Sequence, residues 1–71
     1  MARYSSLLGT SIEVVYRFFD VDLRAFGKLL GDSGTYIIIE RRLDQGGSIR
    51  VCQLRLPYEH ILKIERNNVE S

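Results

Sequence analysis

The chain's only proline and only histidine stand close together in the sequence Pro57-Tyr58-Glu59-His60. A tyrosine ring can stack on a nucleobase, and a histidine ring can stack or donate a hydrogen bond to a phosphate. Because proline favours a turn, the residues after it can project from the end of a sheet. The sequence therefore makes Tyr58 and His60 binding candidates. The alternative is a strand corner, in which Tyr58 closes the core and His60 bonds to a backbone carbonyl.

Arginines form a second group of candidates around a Gly-Gly turn: Arg41, Arg42, Arg50 and Arg55. Guanidinium groups close to Tyr36 can bind phosphates while the ring stacks on a base. Acidic residues also lie near in sequence, so cross-strand ion pairs on a solvated surface are the alternative explanation. We take Arg41, Arg42 and Lys63 as candidate phosphate ligands and Tyr36 as a candidate stacking residue.

The sequence gives no comparable support for catalysis. Residues 31–34, Gly-Asp-Ser-Gly, carry the letters around the nucleophile of trypsin-like proteases, but that chemistry needs a histidine base, an oriented acid and a larger scaffold. Turn propensity explains the same four residues. A single cysteine, Cys52, cannot form an intrachain disulfide, and one Cys with one His is not a structural zinc set. We therefore expect no enzymatic activity, no cofactor and no metal site.

Size and charge limit the remaining possibilities. The chain has 71 residues and a net charge of +1, which excludes a strongly basic nucleic-acid-binding surface but allows a local patch. We predict one domain spanning 1–71, with a core at about 7–66 and a frayed tail at 67–71. A hydrophobic share of 45% is generous for so small a core, so part of it is expected to meet a partner subunit. We find no signal-peptide h-region or membrane span, and expect a cytoplasmic protein without membrane partners.

Alternating apolar residues predict the strands that must position the candidates. Residues 11–19, SIEVVYRFF, and 48–56, SIRVCQLRL, alternate with a period of two. Residues 34–42, GTYIIIERR, contain three consecutive isoleucines, which favours a central strand covered on both faces. Cys52 shares a face with Leu54 and Leu56, so we expect a buried thiol. A short last strand, HILKIE, follows the Pro57 turn.

Residues 22–31, DLRAFGKLLG, fit two structures. Asp22 and Gly31 can cap a short helix, with Leu23, Phe26 and Leu30 at helical spacing. We favour a strand in which Gly27 marks a bend or bulge. Five short strands then predict an all-β fold, a strongly bent antiparallel sheet closing into a small barrel.

The strand pattern resembles the Sm-like proteins, including the Hfq branch, over most of residues 7–66. LLGTSIEVVYR is similar to their opening strand, AFGKLLGD to their first signature through Gly27, Leu29 and Asp32, and QLRLPYEHILKI to their second. Tyr58-Glu59-His60 resembles the Tyr-Lys-His corner of Hfq. The resemblance implies an SH3-like barrel that forms a ring and binds RNA. This chain has Glu59 where Hfq has lysine, and its Asp32 is one residue closer to Gly27.

Two hypotheses follow. The first is an Sm-like homo-oligomer that binds RNA through rim or pore residues. The second is an SH3-like barrel that acts as a protein-interaction or structural oligomer without nucleic acid. In both, the fourth strand of one subunit pairs with the fifth strand of the next, because the short apolar last strand would otherwise leave backbone groups unpaired. The expected interface residues are Ile61, Leu62 and Ile64.

Overall fold

One antiparallel sheet contains all five strands of the computed structural model, which describes residues 3–67. The strands are β1 (Ser11–Phe18), β2 (Val21–Asp32), β3 (Tyr36–Gln45), β4 (Ser48–Pro57) and β5 (Ile61–Arg66). Short 3₁₀ turns at Ser5–Leu7 and Tyr58–His60 precede β1 and β5. The all-β prediction is confirmed, and residues 22–31 form a strand rather than a helix.

The order of strands across the sheet is β4-β3-β2-β1-β5. In the described part of the chain, β4 pairs only with β3 and β5 pairs only with β1, so β4 and β5 are the two edges of the sheet. The sheet is curled, because Tyr16 and Phe18 of β1 line the same cavity as Leu54 and Leu56 of β4. That cavity has a volume of about 300 Å³.

β2 changes its pairing partner along its length. The strand pairs with β1 along Val21–Lys28 and with β3 from Lys28 to Asp32, and its register with β3 shifts between Leu29 and Gly31. At Gly27 the strand passes close to β3. An added Cβ would overlap the carbonyl oxygen of Glu40 and lie 2.5 Å from Cγ2 of Ile39. Gly27 is therefore required for close packing, while the bulge itself falls next to Leu29.

The core consists of side chains that alternate toward the inner face of the curled sheet: Ile12, Val14, Ala25, Leu29, Ile37, Ile39 and Leu56. Burial of each larger aliphatic side chain stabilises the fold by roughly 1.5–3 kcal/mol. Ile38 points to the outer face and is only half-buried. The prediction that the isoleucine run is covered on both faces is therefore wrong for Ile38, because only the inner face of β3 meets the core.

The hairpin of β3 and β4 extends beyond the rest of the sheet. Its ladder runs from Tyr36 opposite Pro57 to Gln45 opposite Ser48, but within residues 3–67 the pairing of β3 with β2 stops at Glu40. We call residues 41–52 the β3–β4 ribbon. Cys52 lies here and is exposed. The predicted burial of Cys52 is wrong, because alternation places it on the inner face at a point where no strand covers that face.

The turn between β1 and β2 has an unusual sequence for its geometry. Phe19 and Asp20 both have positive φ, 49° and 64°, in a two-residue hairpin turn where Asn-Gly is the favoured sequence. Phe19 is 83% exposed, and its ring contacts that of Phe18 with centroids 4.4 Å apart. The fold therefore displays an aromatic side chain in a backbone conformation that aromatic residues disfavour.

Both ends of the described chain are attached to β1 or β2. The backbone N–H of Gly9 donates to the carbonyl of Leu29 at 2.8 Å, and that of Asn67 donates to the carbonyl of Ser11 at 2.9 Å. The rest of the predicted frayed tail, 68–71, lies outside the described residues. Residues 3–67 contain no helix of the length and apolarity needed to cross a membrane.

Candidate functional site

The side chain of Tyr58 turns toward the end of β2. Its hydroxyl donates a hydrogen bond to Oδ1 of Asp32, which also accepts one from the backbone N–H of Gly34 at 3.0 Å. The other carboxylate oxygen accepts a hydrogen bond from the backbone N–H of Tyr4 at 2.8 Å. The sequence placed Asp32 in a family signature but gave no sign of this contact, which depends on how β2 and the Pro57 turn meet in space.

The protonation states of this pair follow from its surroundings. Burial alone would raise the pKa of Asp32. The hydrogen bonds from Tyr58, Gly34 and Tyr4 lower it by more than burial raises it, so the pKa of Asp32 lies below its ordinary value. Burial, followed by the hydrogen bond to Asp32, raises the pKa of the Tyr58 hydroxyl. At neutral pH the pair is therefore a carboxylate that accepts a hydrogen bond from a neutral phenol.

The ring of Tyr58 also has neighbours. It meets Tyr4 edge to face, with ring centroids 5.3 Å apart and planes at 74°, and the Arg3 guanidinium lies 5.6 Å from its centroid. The backbone N–H of Arg3 donates to the Tyr58 hydroxyl at 3.0 Å. These contacts match the strand-corner alternative, in which the ring closes one end of the core.

His60 faces a different element. Its Nδ1 lies 3.1 Å from the carbonyl oxygen of Arg17, and because a carbonyl only accepts, Nδ1 carries the proton and donates. The imidazole ring is tilted against Phe18 with centroids 6.1 Å apart. Tyr58 and His60 thus share one 3₁₀ turn, but their side chains contact opposite ends of the neighbouring strands and form no joint site.

Tyr36 pairs with an arginine on the outer face of the sheet. The guanidinium carbon of Arg55 lies 4.5 Å from the centre of the Tyr36 ring, a cation–π contact. The register explains it: Tyr36 is opposite Pro57 and Ile38 is opposite Arg55, so Tyr36 and Arg55 are diagonal neighbours on one face. In the sequence, Arg55 is only one of four arginines around the Gly-Gly turn. Once the register of the β3–β4 hairpin is known, Arg55 is the arginine that lies diagonal to Tyr36.

The other candidate cations are spread over the sheet. Arg41 is opposite Cys52 on the inner face and Arg42 is opposite Val51 on the outer face, because consecutive strand residues point in opposite directions. Lys63 lies on β5, with Nζ 2.8 Å from Oε1 of Glu65, and this hydrogen bond raises the pKa of Lys63. The structure thus brings Tyr36 close to Arg55 and not to Lys63.

Ion pairs do not account for the arginines of β3 and β4. Within residues 3–67 the pairs to carboxylates are Arg17–Asp22 at 2.8 Å, Arg24–Glu13 at 3.4 Å and Lys63–Glu65 at 2.8 Å. No carboxylate oxygen in that range lies within ion-pair distance of the four arginines around the Gly-Gly turn. Their guanidinium groups are available to a ligand.

The predicted interface residues have different roles on β5. Ile61 and Ile64 are half-buried and pack against the core of their own chain. Leu62 is 49% exposed and points away from it. On the other edge strand, Ile49 and Val51 of β4 are 68% and 56% exposed. Both edges of the sheet therefore present apolar side chains to solvent.

The Gly31–Gly34 segment contains the end of β2 and the start of the turn to β3. The Ser33 hydroxyl oxygen accepts hydrogen bonds from the backbone N–H groups of Thr35 and Tyr36, each at 3.2 Å, and Asp32 accepts one from Gly34. The Ser33 side chain is thus engaged within the turn, as the turn interpretation expects, whereas Asp32 also accepts hydrogen bonds from Tyr4 and Tyr58. In the stretch 3–67 no three His, Cys, Asp or Glu side chains gather closely enough to hold a metal ion.

The geometry described above places a cation–aromatic pair, Tyr36 with Arg55, beside a hydrogen-bonded corner, Tyr58 with Asp32. Comparisons of the chain with protein-family models, with curated proteins and with solved structures found no match.

Proposed function

We propose that the chain is an Sm-like module that assembles by strand addition and binds single-stranded RNA at the end of the sheet where Tyr36 and Arg55 meet. The observation that carries the proposal is the strand order β4-β3-β2-β1-β5, which leaves the fourth and fifth strands as open edges with exposed apolar side chains. Open edges of this kind are sites for pairing with another chain.

Assembly is supported by the complementarity of the two edges. β5 is six residues long and carries Leu62 on its exposed side, and residues 53–57 of β4 continue the open edge outside the β3–β4 ribbon. Antiparallel addition of β5 to this part of a neighbour's β4 would satisfy free backbone groups of both strands and remove Leu62 from water. Each subunit offers one edge of each kind, so the contact is head-to-tail and a closed rotation gives a ring.

RNA binding is supported by the chemistry of the Tyr36–Arg55 pair. A guanidinium group on an aromatic face provides both a stacking surface and a phosphate ligand, which is how unpaired bases are held. The pair lies next to the Pro57 turn, because the backbone N–H of Tyr58 donates to the carbonyl of Thr35 at 2.8 Å. Repetition around a ring would multiply a weak contact, so we expect micromolar affinity despite a net charge of +1.

The assembly is tested by light scattering at high micromolar concentration. Wild type is expected to give a mass that is a multiple of 8.2 kDa, and Leu62→Glu is expected to shift it toward the monomer. Phe26→Glu, an equally exposed apolar position on β2, serves as the control and should leave the mass unchanged. A monomeric wild type at that concentration would exclude ring formation.

RNA binding is tested by titration of fluorescent uridine-rich and adenine-rich oligonucleotides at several salt concentrations. Tyr36→Ala and Arg55→Gln are expected to weaken binding at least tenfold, and Arg55→Gln should also reduce the salt dependence. Arg24→Gln removes the same charge from the ion pair with Glu13 and should bind as wild type does. Equal losses in Arg55→Gln and Arg24→Gln, with no loss in Tyr36→Ala, would show that only net charge matters.

The second candidate, an interaction module without nucleic acid, is favoured by an apolar cluster at the β1–β2 turn. Phe18, Phe19 and Val21 are 50%, 83% and 54% exposed on adjacent positions. Contiguous exposed apolar side chains are typical of protein-binding surfaces. Absence of RNA binding at low salt by an oligomeric wild type would favour this function.

A further inference from the structure

The β3–β4 ribbon, residues 41–52, is a two-stranded projection with little contact to the sheet. Its residues pair with one another through the ladder from Arg41 opposite Cys52 to Gln45 opposite Ser48. From Arg42 to Gln53 every residue is exposed, and Gly46 and Gly47 make the tip with φ of 59° and 87°. Two strands alone are marginally stable in water. A projection of this kind is therefore expected to gain order from a ligand.

The charge of the ribbon differs from that of the whole chain. Arg41, Arg42 and Arg50 with Asp44 give the ribbon a net charge of +2, whereas the whole chain carries +1. The three guanidinium groups form no ion pair with a carboxylate of residues 3–67, while Arg17 and Arg24 of the sheet do. Three arginines without an ion pair to that part of the chain are thus concentrated in the ribbon, whereas Arg17 and Arg24 of the sheet are paired with carboxylates.

Both faces of the ribbon carry arginine. Arg50 is opposite Leu43, so it lies on the inner face with Arg41, and Arg42 lies on the outer face with Ile49 and Val51. A ligand that touches only one face would leave guanidinium groups unused on the other. A ligand with phosphates on two sides would meet all three.

The base of the ribbon carries charges of both signs. Arg42 and Lys28 line one open cavity of about 430 Å³, together with Phe26 and Glu40. An anionic group in this cavity would meet two cations and one carboxylate. Lys28 is directly opposite Glu40, so the base adds no net charge, and the excess positive charge belongs to the ribbon.

We propose that the β3–β4 ribbon is an arm that enters the major groove of double-stranded DNA. The groove of B-form DNA is about 12 Å wide and admits a two-stranded ribbon, whose strands are about 4.8 Å apart. Arg41 and Arg50 then reach the phosphates on one wall, and Arg42 reaches those on the other. Ile49 and Val51 lie on the same outer face as Arg42 and so face that second wall, and the Gly46–Gly47 tip faces the floor.

The arm goes beyond the proposed RNA site, because its residues and its ligand are different. It needs neither the Tyr36–Arg55 pair nor ring formation. A protein groove is a less favourable occupant, because burying three unpaired guanidinium groups against neutral surface is costly, whereas phosphates supply the missing charge. Double-stranded RNA is excluded as an equal ligand by its deep, narrow major groove, which side chains cannot enter.

The test is the binding of fluorescent double-stranded DNA of about two helical turns, measured by anisotropy across salt concentrations. Three phosphate contacts give a slope of log K against log salt of about −2.7. The triple variant Arg41→Gln/Arg42→Gln/Arg50→Gln should lose this slope and bind at least tenfold more weakly at low salt. The corresponding triple lysine variant should keep most of the slope, because each phosphate contact needs the positive charge.

The matched control is Arg17→Gln/Arg24→Gln, which removes paired charges from the sheet. It should bind duplex DNA as wild type does apart from a small net-charge effect. Circular dichroism and light scattering on every variant establish that fold and mass are retained. The ribbon glutamine variant should also keep single-stranded RNA binding at Tyr36 and Arg55, so that failure of either site is seen separately.

Four results would overturn the proposal. They are absence of duplex binding by wild type at low salt, unchanged duplex binding by the ribbon variant, equal binding of double-stranded RNA and DNA, and a change of oligomeric mass in the ribbon variant. The last would identify the ribbon as a contact between subunits.

Discussion

The hydroxyl of Tyr58 donates its hydrogen bond to the carboxylate of Asp32, 26 residues earlier in the chain. The bond joins the end of β2 to the 3₁₀ turn that precedes β5. In the resemblance to Sm-like proteins these two residues belong to separate signatures. Here they form one corner, to which Tyr4 adds a backbone hydrogen bond and an aromatic contact.

Replacement of Asp32 by asparagine is expected to lower the free energy of unfolding at pH 7 by about 1 kcal/mol. Hydrogen bonds to a charged acceptor are worth more than that in isolation, but partial exposure screens them. The folded-state pKa of Asp32 is depressed, so its contribution is present above the unfolded-state pKa and is lost as pH falls through the folded-state value. Urea unfolding of wild type and variant from pH 7 to pH 3 should therefore converge at the acidic end.

Asp44→Asn is the control for this prediction, because Asp44 is exposed and lies at the far end of the β3–β4 ribbon. Its unfolding curve should follow wild type throughout the pH range. A constant difference between Asp32→Asn and wild type at all pH values would mean that the carboxylate charge does not stabilise the corner.

Gly27→Ala is expected to destabilise the fold by about 2–3 kcal/mol, because the new methyl group would overlap the Glu40 carbonyl and the Ile39 side chain. Gly31→Ala in the same strand should be tolerated, since its Cβ would meet only Cδ1 of Ile38 at 3.9 Å. Chemical denaturation of the two variants measures the difference. Equal stability would show that β2 does not approach β3 closely at Gly27.

Phe19→Asn is expected to stabilise the fold by about 0.5 kcal/mol. Asparagine tolerates the positive φ of this turn better than phenylalanine does, and loss of the exposed contact with Phe18 offsets part of the gain. Val21→Asn removes an exposed apolar side chain from an extended residue and should give no gain. If both variants lose stability equally in thermal unfolding, the apolar surface matters more than the turn geometry.

Glu59→Lys is expected to tighten single-stranded RNA binding roughly fivefold and to steepen the salt dependence by about 0.7 for each added phosphate contact. Glu59 is exposed on the 3₁₀ turn next to Tyr58, where its negative charge would repel a bound phosphate. Tyr58→Ala should weaken binding while the oligomer survives, which light scattering would confirm. If no form binds at low salt, the turn is a strand corner alone.

Most of the strands could be predicted because alternation is a local property. The predicted strand ranges that contain Ile12, Ile37 and Leu56 match the observed strands closely. Gly27 favoured a bent strand over a helix for residues 22–31, and these residues do form a strand. Alternation assigns a residue to a face but does not tell whether another strand covers that face. For this reason Cys52, on the same face as the buried Leu56, is exposed.

The candidate site was harder to predict, because it depends on where side chains point after a turn. Tyr58 and His60 are two residues apart, but one reaches Asp32 and the other reaches the Arg17 carbonyl. A 3₁₀ turn rotates side chains by about 120° per residue, so neighbours in sequence diverge. The Tyr36–Arg55 pair needed only the hairpin register.

The position of β1 between β2 and β5 has a consequence for folding during synthesis on the ribosome. Its first partner follows immediately in the chain, whereas the second is the last strand, after all of β2, β3 and β4. During synthesis the three consecutive hairpins can form early, while one side of β1 waits for residues 61–66 to emerge. Until then the nascent chain exposes the unpaired edge of β1. A chaperone or another nascent chain on the same messenger RNA could bind that edge before β5 does.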